Sequence, residues 1–291
     1  MGLLTRWVRR QFTTRVIVLM PVAIAINIVL GYTVQNVLKL PIYVDSIGTI
    51  LVGCVAGPLP GAITGILSNL IWQYAPGIGG SSIGPFAVTA GVIGFMAGIW
   101  GYLGVFRSRP ASGLRLIVPA AIAVAIIVVL AARMYTIPQY NDPNAGNYPS
   151  WVYGAIVVIG AAASIAVALF VYLRRDAAGA WVAVAGALTG VVAAIVSAPI
   201  AAVVYGGVTG SGTDFVVAAL RQGGADVYNA SLGQGLLSDP IDKTITSFVV
   251  FLILAGVSSR VLARFPLGDR LVHVDAEPAR SPEPTGTPSD S

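Results

Sequence analysis

Cysteine and histidine are almost absent from this chain. Cys54 is the only cysteine, and His273, near the C-terminus, is the only histidine. One cysteine cannot form an internal disulfide, and the two residues together are too few for a cysteine–histidine metal site. The sequence also lacks a serine–histidine–aspartate set, a phosphate-binding glycine loop with lysine, and an HExxH motif. We therefore predict that the chain is not an enzyme or an ATPase, and that it holds no metal and no cofactor.

Charged residues are scarce as well. They make up 10% of the 291 residues, against about 25% in soluble domains. Hydrophobic residues reach 56% and occur in long uninterrupted blocks. This composition excludes an ordinary soluble protein and predicts an all-α, polytopic membrane helical bundle. The net charge of +5 does not indicate nucleic-acid binding, because the basic residues lie where a membrane protein needs them.

The apolar blocks predict about eight membrane spans, the second of them unusually short. Residues 1–15 form a basic N-terminus, residues 16–263 the transmembrane domain, and the Pro-, Ser- and acid-rich residues 264–291 a disordered tail. The polar segments 136–150 and 206–239 are predicted to be long loops. The predicted spans are approximately 16–38, 43–57, 59–74, 85–105, 116–132, 151–173, 180–205 and 244–262.

The basic residues are distributed unequally between the two sides of this topology. All 17 lysines and arginines fall on the side of the two termini except Lys39, Arg133, Arg221 and Lys243. Loops rich in lysine and arginine stay in the cytoplasm. We therefore predict a multi-pass cell-membrane protein with both termini in the cytoplasm.

The stretch 41–74 carries the clearest candidate site. Asp45 precedes a short apolar run, a Gly57-Pro58-Leu59-Pro60 break follows, and a second apolar run then begins. The first run is too short to cross a bilayer, since a spanning helix needs about 20 residues. A tight helix pair would return the polar end of the second run to the side of Asp45. That end carries Asn69, Trp72 and Gln73.

A second charged cluster, Asp239, Asp242 and Lys243, falls on the same predicted face. Charged groups at the margin of hydrocarbon are costly unless they are paired or functional. We therefore predict a small-molecule site at this face. Its candidate contacts are Asp45, Asn69, Trp72, Gln73 and Lys243.

Each candidate also has a purely structural interpretation. Asp45 could cap the following helix, and Trp72 could belong to an interfacial aromatic belt. The two amides, one helical turn apart, could simply bond neighbouring helices. Asp242 could form a local ion pair, whereas Lys243 at a helix start would oppose the helix dipole and therefore favours a ligand or a gate.

Two segments resemble the substrate-binding S components of energy-coupling factor (ECF) transporters, which serve vitamin uptake in prokaryotes. The first is Asp45-Ser-Ile-Gly48-Thr49 followed by Gly57-Pro58-Leu-Pro-Gly61-Ala-Ile-Thr-Gly65 and Asn69. The second is Asp239-Pro-Ile-Asp242-Lys243. The resemblance implies a helical bundle that binds a vitamin or related compound near its outer face. It also implies a transmembrane coupling subunit and two cytoplasmic ATPase subunits as partners.

The resemblance further assigns roles to the first span and to the loop that follows it. Residues 38–44 map to a lid over the ligand. The first helix of that family carries an Ala-x-x-x-Ala contact for the coupling subunit, where this chain has Ala23-x-x-x-Asn27. These two residues and Gly31 recur every fourth position and form one stripe on a helix, so they are the predicted docking residues. Members typically have six helices, which places one extra pair between residues 106 and 205.

The resulting functional expectation is a substrate-specific membrane subunit of an ATP-driven importer. Aromatic and amide side chains favour a flat, vitamin-like heterocycle as its ligand. The alternative is a membrane sensory module that binds a small ligand and signals to a partner. A purely structural membrane protein is a third interpretation.

Overall fold

The computed structural model describes residues 2–77, 83–142 and 149–271. Within these residues every regular element is helical, and the only β-type pairing is an isolated bridge between Pro110 and Asp176. The all-α prediction is therefore confirmed. The helices are α1 (Leu3–Gln11), α2 (Thr14–Gly31), α3 (Ile47–Ala56), α4 (Pro58–Tyr74), α5 (Ala87–Tyr102), α6 (Leu114–Asn141), α7 (Ser150–Arg174), α8 (Ala178–Tyr205), α9 (Asp214–Gln222), α10 (Val227–Gly256) and α11 (Ser259–Leu262).

Five helical segments in the described part of the chain are long and apolar enough to cross a membrane. They are Thr14–Val37, which is α2 with a π-helical extension, then Gly84–Tyr102, α6, α7 and α8. Length and composition thus support a membrane protein but do not confirm the predicted count of about eight spans. The other bundle helices are the ten-residue α3, the 17-residue α4, and α10, which carries three buried charged residues near its middle.

The predicted short helix is present as α3. Ten residues of α-helix rise about 15 Å, roughly half the depth of a bilayer core. The helix ends at Gly57, whose φ of +119° favours glycine, and Pro58 then starts α4. The turn packs on α1, where the buried Gln11 accepts a hydrogen bond through Oε1 from the Leu59 N–H at 3.1 Å. The N-terminal segment is therefore part of the folded structure.

Small residues hold two groups of helices in backbone contact. A methyl group placed on Gly94 of α5 would lie 2.1 Å from the Gly61 carbonyl oxygen of α4. On the other side of the bundle, methyl groups on Gly186 and Gly190 of α8 would lie 2.3 and 2.4 Å from the carbonyl oxygens of Lys243 and Asp239 in α10. Glycines let helices approach this closely in lipid. The α8–α10 contact also places the three charged residues of α10, Asp239, Asp242 and Lys243, in the interior.

The last long helix differs from its prediction. It begins at Val227 and runs through Pro240, so Asp239, Asp242 and Lys243 lie in its middle and not at its start. The start is set by Asp226, whose carboxylate accepts the Asn229 N–H at 2.8 Å as an N-cap. The predicted loop 206–239 is therefore mostly α9 and the first half of α10. The argument that Lys243 opposes a helix N-terminus is wrong for the same reason.

Two other predicted boundaries also change. Helix α6 continues to Asn141, so the first part of the predicted loop 136–150 is helical, while residues 143–148 lie outside the described residues. The predicted tail 264–291 is folded as far as Leu271, since the Leu267 N–H donates to the Val55 carbonyl oxygen at 2.9 Å and both leucines are buried. Residues 272–291 lie outside the described residues.

Candidate functional site

A cavity lies at the end of the bundle where α2 and α4 finish and α3 and α5 begin. Its remaining walls come from α8, from the loop that follows α8, and from the first half of α10. The cavity volume, measured as the space that the centre of a water molecule can occupy, is about 130 Å³. One water needs about 10–15 Å³ by this measure, so the cavity has room for on the order of ten waters or one small organic molecule.

Four of the five predicted contact residues line this cavity. They are Asp45, Asn69, Trp72 and Lys243, which come from three distant parts of the sequence. The fifth, Gln73, is not among the lining residues, because its Oε1 accepts the Gly84 N–H at 2.9 Å outside the cavity. The structure therefore brings most of the predicted set together around one hollow.

Asn69 and Gln73 both tie α4 to the segment before α5. The Nδ2 atom of Asn69 donates to the Ile83 carbonyl oxygen at 3.4 Å, and Gln73 bonds Gly84 as described above. The interpretation that these amides bond neighbouring segments therefore holds for both. Asn69 additionally presents part of its side chain to the cavity.

Lys243 is the centre of a buried ionic cluster. Its Nζ lies 2.5 Å from Oδ2 of Asp242 and 3.5 Å from Oδ1 of Asp45. The Lys243, Asp242 and Asp45 side chains are 4%, 0% and 17% exposed, so the pairs are largely removed from water. Pairing inside the bundle is what makes such charges tolerable.

The segment 38–46, which we call the strap, borders the cavity through Tyr43, Asp45 and Ser46 and is held by this cluster. The second carboxylate oxygen of Asp242, Oδ1, accepts the backbone N–H groups of Tyr43 and Val44 at 3.0 and 2.8 Å. Val44 has a φ of +55°, which is costly for a β-branched residue. Gln35 adds hydrogen bonds from Nε2 to the Tyr43 carbonyl and to Asp45 Oδ2, both at 3.2 Å. The strap conformation therefore depends on these polar contacts.

Asp45 does not act as a helix cap. Ser46 occupies the N-cap position of α3, and no side chain caps that helix. The Asp45 carboxylate instead faces Lys243 and Gln35. Burial raises the pKa of this carboxyl, and the Lys243 ammonium opposes that rise.

A second polar network covers the other side of the cavity. The Tyr43 hydroxyl lies 3.0 Å from Thr213 Oγ1, and Gln234 Nε2 lies 3.0 Å from both of these oxygens and 2.7 Å from Ser238 Oγ. Burial, and secondarily the charge of Asp239, raise the pKa of Tyr43 to about 12. The phenol is therefore neutral near neutral pH and can serve as a donor.

The sequence analysis missed Tyr43, Gln234 and Asp239 as site residues. The signal was present in α10, where polar residues recur every three or four positions and so share one helical face. These are Ser231, Gln234, Ser238 and Asp242. Interpreting 206–239 as a loop concealed this pattern.

Four polar side chains on the cavity wall have no hydrogen-bond partner in the described protein. Their atoms are Ser46 Oγ, Trp72 Nε1, Thr89 Oγ1 and Ser231 Oγ, and each residue is at most 7% exposed. Buried polar groups are nearly always hydrogen-bonded, and leaving one unpaired costs about 1–3 kcal/mol. Four of the seven such atoms among the described residues therefore border this one hollow, where a polar ligand could pair with them. Trp72, at 1% exposure, is also too buried to belong to an interfacial belt.

The predicted docking stripe does not face outward. Ala23, Asn27 and Gly31 are all buried inside the bundle. Asn27 accepts the Gly48 N–H at 2.7 Å and donates to Thr49 Oγ1 and Ser68 Oγ at 2.8 and 2.9 Å. The stripe therefore joins α2 to α3 and α4 of the same chain. In this arrangement these side chains are not available to a partner, so their assignment to a coupling subunit stays a prediction without support from their positions.

Comparison with known proteins provides no further assignment. No family model, curated protein or solved structure matches the chain. The function must therefore be argued from the cavity and its chemistry.

Proposed function

We propose that this chain is a membrane protein that captures a small molecule in the cavity and serves as the substrate-specific subunit of an ATP-driven importer. The observation that carries the proposal is the grouping of four buried, unpartnered polar atoms around one cavity of about 130 Å³. A small number of polar groups in a mostly apolar, preformed hollow is the usual make-up of a small-molecule site.

The strap is the proposed entrance. Opening it requires separation of the Tyr43 and Val44 N–H groups from Asp242, and it loosens the contact between Asp45 and Lys243. A ligand that contacts both the strap and α10 would favour the closed arrangement, because it binds that arrangement better than the open one. Capture and closure are then coupled.

The connections between helices support an outward orientation of the site. The cavity lies at the ends of α2, α4 and α8, opposite the ends joined by the arginine-rich segments around 103–113 and 174–177. Arginine-rich loops favour the cytoplasmic side. The cavity would therefore take up its ligand from outside the cell membrane, with both termini in the cytoplasm.

Import requires an energy source that this chain does not encode. The sequence has no ATP-binding motif, so a transmembrane coupling subunit and cytoplasmic ATPase subunits would act in trans. The likeness of 41–74 and 239–243 to ECF S components supports this assignment. In this arrangement the coupling surface would be one other than the buried stripe of α2.

Mass spectrometry of the purified chain tests the capture step. Ser197 lines the cavity from α8, whereas Val203 on the same helix is 84% exposed. We expect wild type and Val203→Trp to retain a co-purifying small molecule after gel filtration in detergent. Ser197→Trp, still monodisperse, should lose it because the indole fills the space. Equal retention by both variants would refute capture in this cavity.

Uptake of the identified compound then tests transport. Proteoliposomes that contain the chain, a coupling subunit and the ATPases should accumulate the compound when ATP is enclosed. Vesicles with the chain alone, or with Ser197→Trp in the full complex, should not. ATP-independent accumulation would contradict the importer assignment while leaving the binding site intact.

A further inference from the structure

We infer that the cavity selects a small organic cation, an ammonium or protonated heterocycle on an aromatic body, with its charge placed between Asp239 and Asp45. This inference rests on the proposed capture of a small molecule and names the chemical class of that molecule. It starts from the charges around the hollow. Three carboxylates, Asp45, Asp239 and Asp242, face one ammonium, Lys243.

Lys243 is not available to an anionic ligand. Its ammonium already contacts Asp242 at 2.5 Å and Asp45 at 3.5 Å. An incoming carboxylate or phosphate would have to displace one of these partners and leave a buried carboxylate unpaired, which is strongly unfavourable. The lysine therefore offsets the negative charge of the wall without presenting a positive charge to the ligand.

Asp239 is the carboxyl group of this wall that no cation among the described residues pairs with. It is 7% exposed, lines the cavity, and has no lysine or arginine nitrogen within 4.0 Å in the part of the chain that the structure describes. Its Oδ1 accepts a single side-chain hydrogen bond, from Ser238 Oγ at 3.3 Å. A buried carboxylate without a cation is costly. A positively charged ligand group would supply the missing partner.

The remaining wall fits the body of such a cation. The half-buried Phe86 and Tyr43 provide aromatic surface, and Phe86 is held by stacking on Tyr205 with ring centroids 5.6 Å apart. Aromatic faces attract organic cations. A metal ion does not fit, because no group of three or more acidic, cysteine or histidine side chains among the described residues is arranged to hold one.

Three molecules of matched shape test the charge preference: phenethylamine, 2-phenylethanol and phenylacetate, which are cationic, neutral and anionic near neutral pH. Their effect on thermal unfolding of the purified full chain can be followed with a thiol-reactive dye, since Cys54 is the only cysteine and is buried. We expect millimolar phenethylamine to raise the Tm, 2-phenylethanol to raise it less, and phenylacetate to leave it unchanged. An equal or larger rise with the neutral or anionic compound, or no rise with any of the three, overturns the proposal.

A charge-removing variant provides the second arm. Asp239→Asn should weaken the apparent affinity for phenethylamine roughly 10- to 100-fold, the loss expected for one charge-assisted hydrogen bond. Asp269→Asn, at an exposed position of the opposite end, is the matched control and should leave the affinity unchanged. If Asp239→Asn binds phenethylamine within about twofold of wild type, Asp239 is a neutral acid in the site and the inference fails.

The two proposals fail in different ways. A cavity that binds 2-phenylethanol or phenylacetate best, and loses that binding in Ser197→Trp, refutes the cation class but keeps the capture function. A chain whose co-purifying compound persists unchanged in Ser197→Trp refutes capture in this cavity whatever the charge of the compound.

Discussion

Replacement of Asp242 by alanine removes the partner that both neutralises Lys243 and holds the strap. Asp242 is 0% exposed, its Oδ2 lies 2.5 Å from the lysine ammonium, and its Oδ1 accepts two backbone N–H groups. Breaking a buried ion pair from one side costs about 3–5 kcal/mol, because a charge is left uncompensated. The residual contact with Asp45 at 3.5 Å places the expected loss near the lower end of this range.

A double variant separates the orphaned charge from the loosened strap. In Asp242→Ala/Lys243→Met the unpaired ammonium is gone. The strap hydrogen bonds are still missing, and Asp45, which is 17% exposed, loses its lysine partner but keeps the hydrogen bond from Gln35. We therefore expect the double variant to recover about 1–3 kcal/mol of the free energy of unfolding relative to Asp242→Ala alone. The two substitutions are adjacent in the chain and share one cluster, so their effects should be strongly non-additive.

The free energy of unfolding can be measured by titration of the detergent-solubilised protein with sodium dodecyl sulfate and followed by far-UV circular dichroism. Asp269→Ala, at an exposed position, is the control and should change stability by less than about 0.5 kcal/mol. A double variant that is as unstable as, or less stable than, the single variant would refute the reasoning. The cost would then lie in packing or in the strap, and not in the unpaired lysine.

Three further predictions concern the helix contacts, the Asn27 junction and Tyr43. Gly94→Ala should destabilise the bundle by about 1–3 kcal/mol, because the new methyl group would lie 2.1 Å from the Gly61 carbonyl oxygen. In the control Gly256→Ala the methyl group meets nothing within 4 Å. This control should be neutral or slightly stabilising in the same titration. Asn27→Leu leaves the buried Gly48 N–H without its acceptor and should cost at least about 1–3 kcal/mol; stability equal to wild type would show that the junction contributes nothing. Tyr43 has a folded-state pKa of about 12 against 10.0 for the free side chain, so its contribution to stability is complete below pH 10 and is lost as the pH rises toward 12. Tyr43→Phe should therefore lose less stability between pH 10 and 12 than wild type. If the free energy of unfolding falls equally with pH in both proteins, the raised pKa of Tyr43 is contradicted.

The helix pair α3–α4 could be predicted because its signals are local. Gly57 and Pro58 separate two apolar runs. Glycine suits the positive φ at the end of α3, and proline suits the first position of α4. Once the two runs are antiparallel, Asp45 must lie near the end of α4 that carries Asn69 and Trp72. Topology alone was sufficient for that part of the site.

The directions in which individual side chains point could not be predicted from the local sequence. Trp72 and Gln73 are neighbours in sequence, yet successive helical residues point about 100° apart, so only Trp72 enters the cavity. The stripe of Ala23, Asn27 and Gly31 was recognised by spacing, but spacing does not say whether a stripe faces another helix of the same chain or a partner. Here the hydrogen bonds of Asn27 to α3 and α4 decide the question.

Helix α10 was mispredicted because its polar first half, residues 227–239, was taken as part of a loop. Pro240 removes one backbone donor, but close packing on Gly190 of α8 keeps the helix continuous. With the helix start moved back to Val227, Ser231 and Gln234 reach the cavity. Tertiary packing thus overrode a local signal that ordinarily ends a helix.

The shortness of α3 has a consequence for the shape of the bundle. The ten residues of α3 rise only about 15 Å of a hydrocarbon layer about 30 Å thick, and the cavity borders the beginning of this helix. On the facing helix α8, the lining residues Ala193, Ser197 and Ala201 lie about 22–34 Å from Ala178, the first residue of the helix. In the proposed orientation the cavity is therefore a recess in the outer half of the bundle, and a captured molecule would still have the cytoplasmic half to pass.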